Sequence, residues 1–186
     1  MRDLVIINAR IVTPVGHSAL KGGAMCELLE IECGGVIIRD GVISFVGPME
    51  ELPAYSELYQ VIDAKGKCLL PGFVDSHTHM VFGGFRDEEF QWRLKGESYM
   101  SIMERGGGIQ STVNATRSAS PESLKEKTSV FLRRMSAMGV TTVEAKSGYG
   151  LEVESESKML DVINDLAHEE DPYIRIVPTF MGAHAV

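Results

Sequence analysis

The sequence predicts an α/β protein: a small β domain over residues 1–67, then alternating strands and helices over residues 68–186. Three observations carry this. Short β-branched runs separated by tight turns fill the first third. After residue 72, strand signals alternate with helical periodicity, as in βαβ units. The order βαβαβ implies a parallel sheet with right-handed crossovers.

Each element has a local reason. Leu4-Val5-Ile6-Ile7 reads as a strand, broken at Asn8 and resumed at Arg10-Ile11-Val12-Thr13. Pro14, Gly16 and Gly22-Gly23 mark turns, and His17 is a loop histidine with no assigned role. Residues 27–33 and Val36-Ile37-Ile38 read as two strands, and Asp40-Gly41 is a hairpin signal whose return strand is Val42 to Gly47. Residues 48–59 read as a loop with a helical turn, and Val61 to Ala64 as a short strand before the Lys65-Gly66 turn.

The second part opens with the strand Phe73-Val74-Asp75-Ser76-His77. Residues 87–95 form a helix by charge order, acidic first and basic last. Residues 98–105 form another, stopped by Gly106-Gly107-Gly108, and residues 109–119 are ambiguous. Ser120-Pro121 starts a helix as N-cap and N1, with Leu124, Val130 or Thr128, Phe131, Leu132 and Met135 at roughly helical spacing, and Gly139 ends it. Residues 139–146 are a strand and 147–150 a loop. Residues 152–170 are a helix with a Met159, Leu160, Val162, Ile163 and Leu166 stripe. Pro172 closes the connection to a strand over 174–180.

Composition excludes several classes. The net charge is −8 and the chain has no basic stripe, which argues against nucleic acid as a partner. Cys26, Cys33 and Cys68 are widely spaced and odd in number, as for reduced thiols. The apolar run at the N-terminus is too short for a signal peptide, and no run is long enough for a membrane span. A cytoplasmic location and no membrane partner are the expectation.

Chemistry collects at the carboxyl ends of the predicted strands: His77, His79 and Arg86 after the first, Ser147 and Tyr149 after the second, His184 after the third. That end is where parallel α/β folds build sites. His77 and His79, two apart on a strand, present imidazoles to one side, as a catalytic metal requires. Asp75 either orients a ligand or accepts a backbone N–H. Arg86, after Phe82-Gly83-Gly84, suits bidentate capture of a carboxylate. Tyr149 lies between two glycines on a loop that lets backbone approach a ligand. Glu144 and Lys146 share a strand face and are expected to pair.

Pro71-Gly72-Phe73-Val74-Asp75-Ser76-His77-Thr78-His79 resembles the first-strand signature of the metal-dependent amidohydrolase superfamily. The preceding β domain with its Asp40-Gly41 hairpin looks similar to theirs. Four further segments resemble the imidazolonepropionase family: residues 81–90, residues 106–113, Thr141 to Leu151 with Lys146-Ser147-Gly148-Tyr149-Gly150-Leu151, and Thr179 to Ala185 with Phe180-Met181-Gly182-Ala183-His184. The likeness runs from about residue 60 to the end.

The resemblance implies the N-terminal part of a TIM-like (β/α)8 amidohydrolase barrel, preceded by a small β-sandwich-like domain. It implies hydrolysis of the ring amide of 4-imidazolone-5-propanoate to N-formimidoyl-L-glutamate, a step of histidine breakdown, by a metal-activated water. His77 and His79 would be ligands of one zinc or iron ion. Arg86 would hold the propanoate, Tyr149 and His184 would contact the ring, and Tyr99 is a further candidate for that pocket. Another metal histidine, a metal aspartate and the general base would come from later strands, so no catalytic base is assigned here. A full barrel takes ~250 residues, so the 186 residues alone are expected to be inactive, and a homodimer is expected of the full-length protein. The alternatives are another cyclic amidohydrolase acting on a hydantoin- or guanine-like ring, and an inactive metal-binding fragment.

Overall fold

The computed structural model describes residues 3–16, 18–169 and 174–185; His17 and Pro172 fall outside them. The chain divides into two compact units, Met1–Pro71 and Gly72–Val186.

The first unit is a five-stranded sheet. Strand β1 (Leu4–Pro14) lies between β2 (Leu28–Arg39), which pairs with it antiparallel, and the parallel strands β4 (Gln60–Asp63) and β5 (Cys68–Leu69). Strand β3 (Val42–Pro48) pairs with β2 through the Asp40-Gly41 hairpin. Both turn residues have positive φ, 50° and 77°, which matches the twist of the flanking strands. The two strands expected over 27–38 are one continuous strand, because β1 runs alongside all of it. Asn8 does not end β1. It takes a left-handed φ of 55° and the pairing register shifts there, so the strand bends and continues. Cys68–Leu69 pairs with β1, which keeps residues 68–71 with the first unit.

The second unit is a three-stranded parallel sheet, β6-β7-β8, built from Phe73–Thr78, Val140–Lys146 and Arg175–Thr179. Between β6 and β7 come α1 (Asp87–Leu94), α2 (Tyr99–Glu104), α3 (Ile109–Ser118) and α4 (Pro121–Ala137). Helix α5 (Val153–Ala167) joins β7 to β8. The ambiguous stretch 109–119 is α3, whose Thr112, Val113 and Thr116 are buried. Ser120 caps α4 as expected, its Oγ accepting from Ser123 N at 3.2 Å.

The core of this unit lies between the sheet and the two long helices, with Leu124, Leu132, Val143, Met159, Ile163 and Ile176 at its centre. Each such side chain contributes about 1.5–3 kcal/mol by burial. On α4 the buried positions are Leu124, Thr128 and Leu132, four residues apart, whereas Phe131 and Met135 are half-buried. The opposite face of the sheet is open: Val74 of β6 is 66% exposed and Val177 of β8 is 41% exposed. Among the described residues, no helix is long and apolar enough to cross a membrane.

Candidate functional site

The strand ends place the predicted residues unequally. His79 lies just beyond β6 and is half-buried, while His77 is exposed. Their ring centroids are 6.0 Å apart and inclined at 61°. The Asp75 carboxylate turns back to accept His77 N at 3.2 Å, a local backbone contact.

Two backbone carbonyls of the loop after β7 fix two imidazoles. His79 Nδ1 lies 2.8 Å from Ser147 O, and His184 Nδ1 lies 3.0 Å from Gly148 O. A carbonyl only accepts, so Nδ1 carries the proton in both rings and each Nε2 keeps its lone pair. The rings stack at 4.2 Å with 13° between planes, and Tyr149 stands 5.3 Å from each. His79 Nε2 is buried and has no hydrogen-bond partner. Burial, and then the neighbouring His184, hold the His79 pKa below its ordinary value. His79 is therefore a neutral base with an unused, inward lone pair.

Sequence reasoning missed Glu156, which builds this loop from beneath. The residue is buried at the start of α5, and its carboxylate accepts from Gly148 N (2.9 Å), Gly150 N (2.7 Å) and Leu151 N (2.9 Å). Burial alone raises its pKa. The Ser147 hydroxyl and the three backbone N–H groups outweigh it, so the group titrates below the usual carboxylate range. Gly148 has φ 117°, and a Cβ there would come within 2.7 Å of His184 Cβ. The one legible signal was an acidic residue in the first turn of a helix following a glycine-rich loop.

Arg86 is exposed and immediately precedes α1. It lines a cavity of about 280 Å³ together with His79, Phe82, Phe85, Thr112 and Tyr149. Arg86 also borders a second cavity of about 380 Å³, walled by Trp92, Arg105 and the Gly106-Gly107 turn. The guanidinium of Arg105 lies 5.6 Å from the Trp92 ring. Tyr99, on α2, is 56% exposed and lines neither cavity. The structure thus brings together His79, His184, Tyr149 and Arg86, with His77 beside them, and leaves Tyr99 apart.

Glu144 and Lys146 form the expected pair at 2.6 Å, and Thr179 Oγ1 donates to Glu144 at 2.8 Å. The Lys146 ammonium, and then the Thr179 hydroxyl, hold the Glu144 carboxyl below its usual range. A carboxylate so engaged is a poor proton acceptor. Among the described residues no group of three or more His, Cys, Asp or Glu could hold a metal ion. Two imidazoles are the available donors, and the lone pair of His79 Nε2 fits a ligand whose other ring nitrogen is already fixed by a carbonyl.

Residues 60–112 match the amidohydrolase family. Among solved structures, the fold is shared with a triazine hydrolase from Arthobacter aurescens (TM-score 0.65, 19% identity, 97% of this chain and 36% of that one). It is also shared with a 5-methylcytosine deaminase from Klebsiella pneumoniae (TM-score 0.60, 17% identity, 94% of this chain and 36% of that one). Curated relatives are far closer in sequence. The imidazolonepropionase of Phocaeicola vulgatus is 58% identical over 99% of this chain and 44% of its own length. That of Bacteroides thetaiotaomicron is 57% identical over 99% and 45%, and that of Clostridium tetani 48% over 98% and 44%. The chain thus spans less than half the length of the curated relatives it matches. Along practically its whole length the chain is similar to part of these imidazolonepropionases, and the match to the amidohydrolase family lies within residues 60–112.

Proposed function

We propose that this chain supplies part of a metal-dependent cyclic amidohydrolase that opens the ring amide of 4-imidazolone-5-propanoate to N-formimidoyl-L-glutamate. The observation that carries the reading is His79 Nε2, buried, unpartnered and locked in one tautomer by Ser147 O, on a residue that lines a cavity with Arg86 and Tyr149. In this reading β6, β7 and β8 with their helices are the first βα units of a (β/α)8 barrel. The first unit, Met1–Pro71, is in this reading the start of a small composite β domain.

His77 and His79 would hold one zinc or iron ion. When bound, such an ion lowers the pKa of its water towards ~7 and polarises the carbonyl under attack. Every other role falls to side chains. Arg86 binds the propanoate through two parallel N–H donors, which sets the ring's distance from the histidines. Tyr149 and His184 border the ring: the Tyr149 hydroxyl donates to the oxygen that gains charge as the amide carbon becomes tetrahedral, and the free lone pair of His184 Nε2 accepts a ring N–H. The stacked His184 ring and Phe82 keep bulk water from that face. Glu144 is neutralised by Lys146, so the general base is not assigned to it.

The test uses the full-length gene product loaded with zinc or iron. Loss of imidazolone absorbance with formation of formimidoylglutamate is expected, and His79→Ala is expected to lose bound metal and turnover together. Absence of turnover with either metal, or a His79→Ala protein that keeps full metal content, would overturn the reading.

A further inference from the structure

Lys127, on the middle of α4, points its ammonium at the backbone of the Phe82–Arg86 loop. Nζ donates to Gly84 O at 2.6 Å and to Phe82 O at 3.1 Å. The same Nζ sits 3.7 Å from the Phe82 ring centroid, 3.9 Å from Phe85 and 5.9 Å from Phe131. An ammonium against aromatic faces is attracted by their quadrupoles, more strongly once desolvated. Burial lowers the Lys127 pKa from its ordinary value. Two loop carbonyls and two loop rings therefore converge on one cation supplied by a helix of the core.

The loop has a second anchor. Gly83 N donates to Thr116 Oγ1 at 2.9 Å, and a Cβ on Gly83 would lie 2.2 Å from Ala115 O, so the backbone rests directly on α3. Gly83 and Gly84 are thus tied to two helices, and two residues later comes Arg86. Phe82, Phe85 and Arg86 are the loop's contribution to the cavity containing His79 and Tyr149. Lys127 itself does not line that cavity.

We propose that Lys127 is a positioning residue for carboxylate recognition: it grips the loop from behind and sets where Arg86 presents its guanidinium. This rests on the reading of Arg86 as the carboxylate site. Bidentate pairing tolerates little displacement, because both N–H groups must align with both oxygens. A loop released from Nζ keeps Arg86 but loses its register against the ring site.

The experiment compares Lys127→Met, Lys127→Arg, Arg86→Met and the Lys127→Met/Arg86→Met double variant in the metal-loaded full-length gene product. Binding of imidazole-propanoate is titrated beside 4-methylimidazole, which has no carboxylate, and amide hydrogen exchange is followed over residues 82–86. Lys127→Met is expected to weaken the acid roughly tenfold, as small misplacements of a clamp do, and to leave 4-methylimidazole within about twofold. In the Arg86→Met background the same change is expected to cost under about twofold, since the two act through one contact. Lys127→Arg, still cationic, is expected to recover most of the affinity, and exchange over 82–86 is expected to quicken only in the Met variants. Equal weakening of both ligands, full additivity with Arg86→Met, or unchanged exchange would overturn the proposal. If Arg86→Met leaves acid binding intact, the carboxylate reading of Arg86 fails, and unchanged exchange in Lys127→Met separately refutes the grip on the loop. A Lys127→Met protein that does not fold shifts the decision to Lys127→Gln, whose acid affinity must then fall by more than its affinity for 4-methylimidazole.

Discussion

At the residue scale, one carboxylate organises more of the site than any of the predicted side chains. Glu156 ties together the backbone of the loop whose carbonyls fix His79 and His184. Replacing it by Gln turns one acceptor into a donor facing backbone N–H groups, and a buried donor left unpaired costs about 1–3 kcal/mol. Glu156→Gln is therefore expected to lower the stability of the second unit by that amount, measured by urea unfolding. The pH dependence has a definite sign. Because the folded-state pKa is depressed, the stability Glu156 contributes is fully present above the unfolded value of about 4.3 and fades as pH falls through the lower folded value. Acid titration of stability is expected to be shallower in Glu156→Gln than in the parent; an equally steep profile would show that Glu156 is not the group lost. That His79, Arg86, Tyr149 and His184 fall on the same side of the sheet was legible because each follows a strand end. Glu156 and Lys127 were not. Each sits on a helix among other charges, and only tertiary packing shows that its partners are backbone groups of distant loops.

At the scale of elements, legibility followed local chemistry. The Ser120-Pro121 start of α4 and the Asp40-Gly41 hairpin were readable because each is stabilised within four residues. Ser120→Ala is expected to cost about 1 kcal/mol, the loss of an N-cap acceptor, checked by the same unfolding measurement. Pairing that depends on a distant partner was less readable. Strand β2 is continuous only because β1 accompanies it, and β1 survives Asn8 only by shifting register there. Helix α3 carries threonines on its buried face, which weakens an apolar stripe, although Thr116 satisfies its hydroxyl on Thr112 O at 2.7 Å. Gly83→Ala tests how tightly the site loop rests on that helix. With backbone 2.2 Å from the new Cβ, the loop has to move, and a stability loss of roughly 1–3 kcal/mol is expected.

At the scale of the whole molecule, the second unit buries one face of its sheet and leaves the other open. Phe73 and Val74 of β6 and Val177 of β8 are exposed, and so is Phe180 just beyond β8. Among the described residues, β6 and β8 each pair with β7 alone, so each has a free edge there. Exposed apolar faces beside free edges favour association. The 186-residue chain on its own is expected to sediment as a concentration-dependent mixture of larger species; a sharp monomer boundary across the concentration range would contradict this. The fold class was readable from the βαβαβ order. Which face of the sheet stays open was not, because that depends on where the helices pack and not on the periodicity of the strands.

The cavity beside Arg86 has one wall with a use of its own. Trp92 is the single tryptophan of the sequence, and it stands against the Arg105 guanidinium on that wall. Selective excitation of the indole would report this one position without labelling. An anion drawn to Arg86 would alter the field around the indole, and its emission would shift as the acid is titrated in. If Arg86 takes the carboxylate end of a ligand, the molecule carries an intrinsic optical gauge of occupancy at that end.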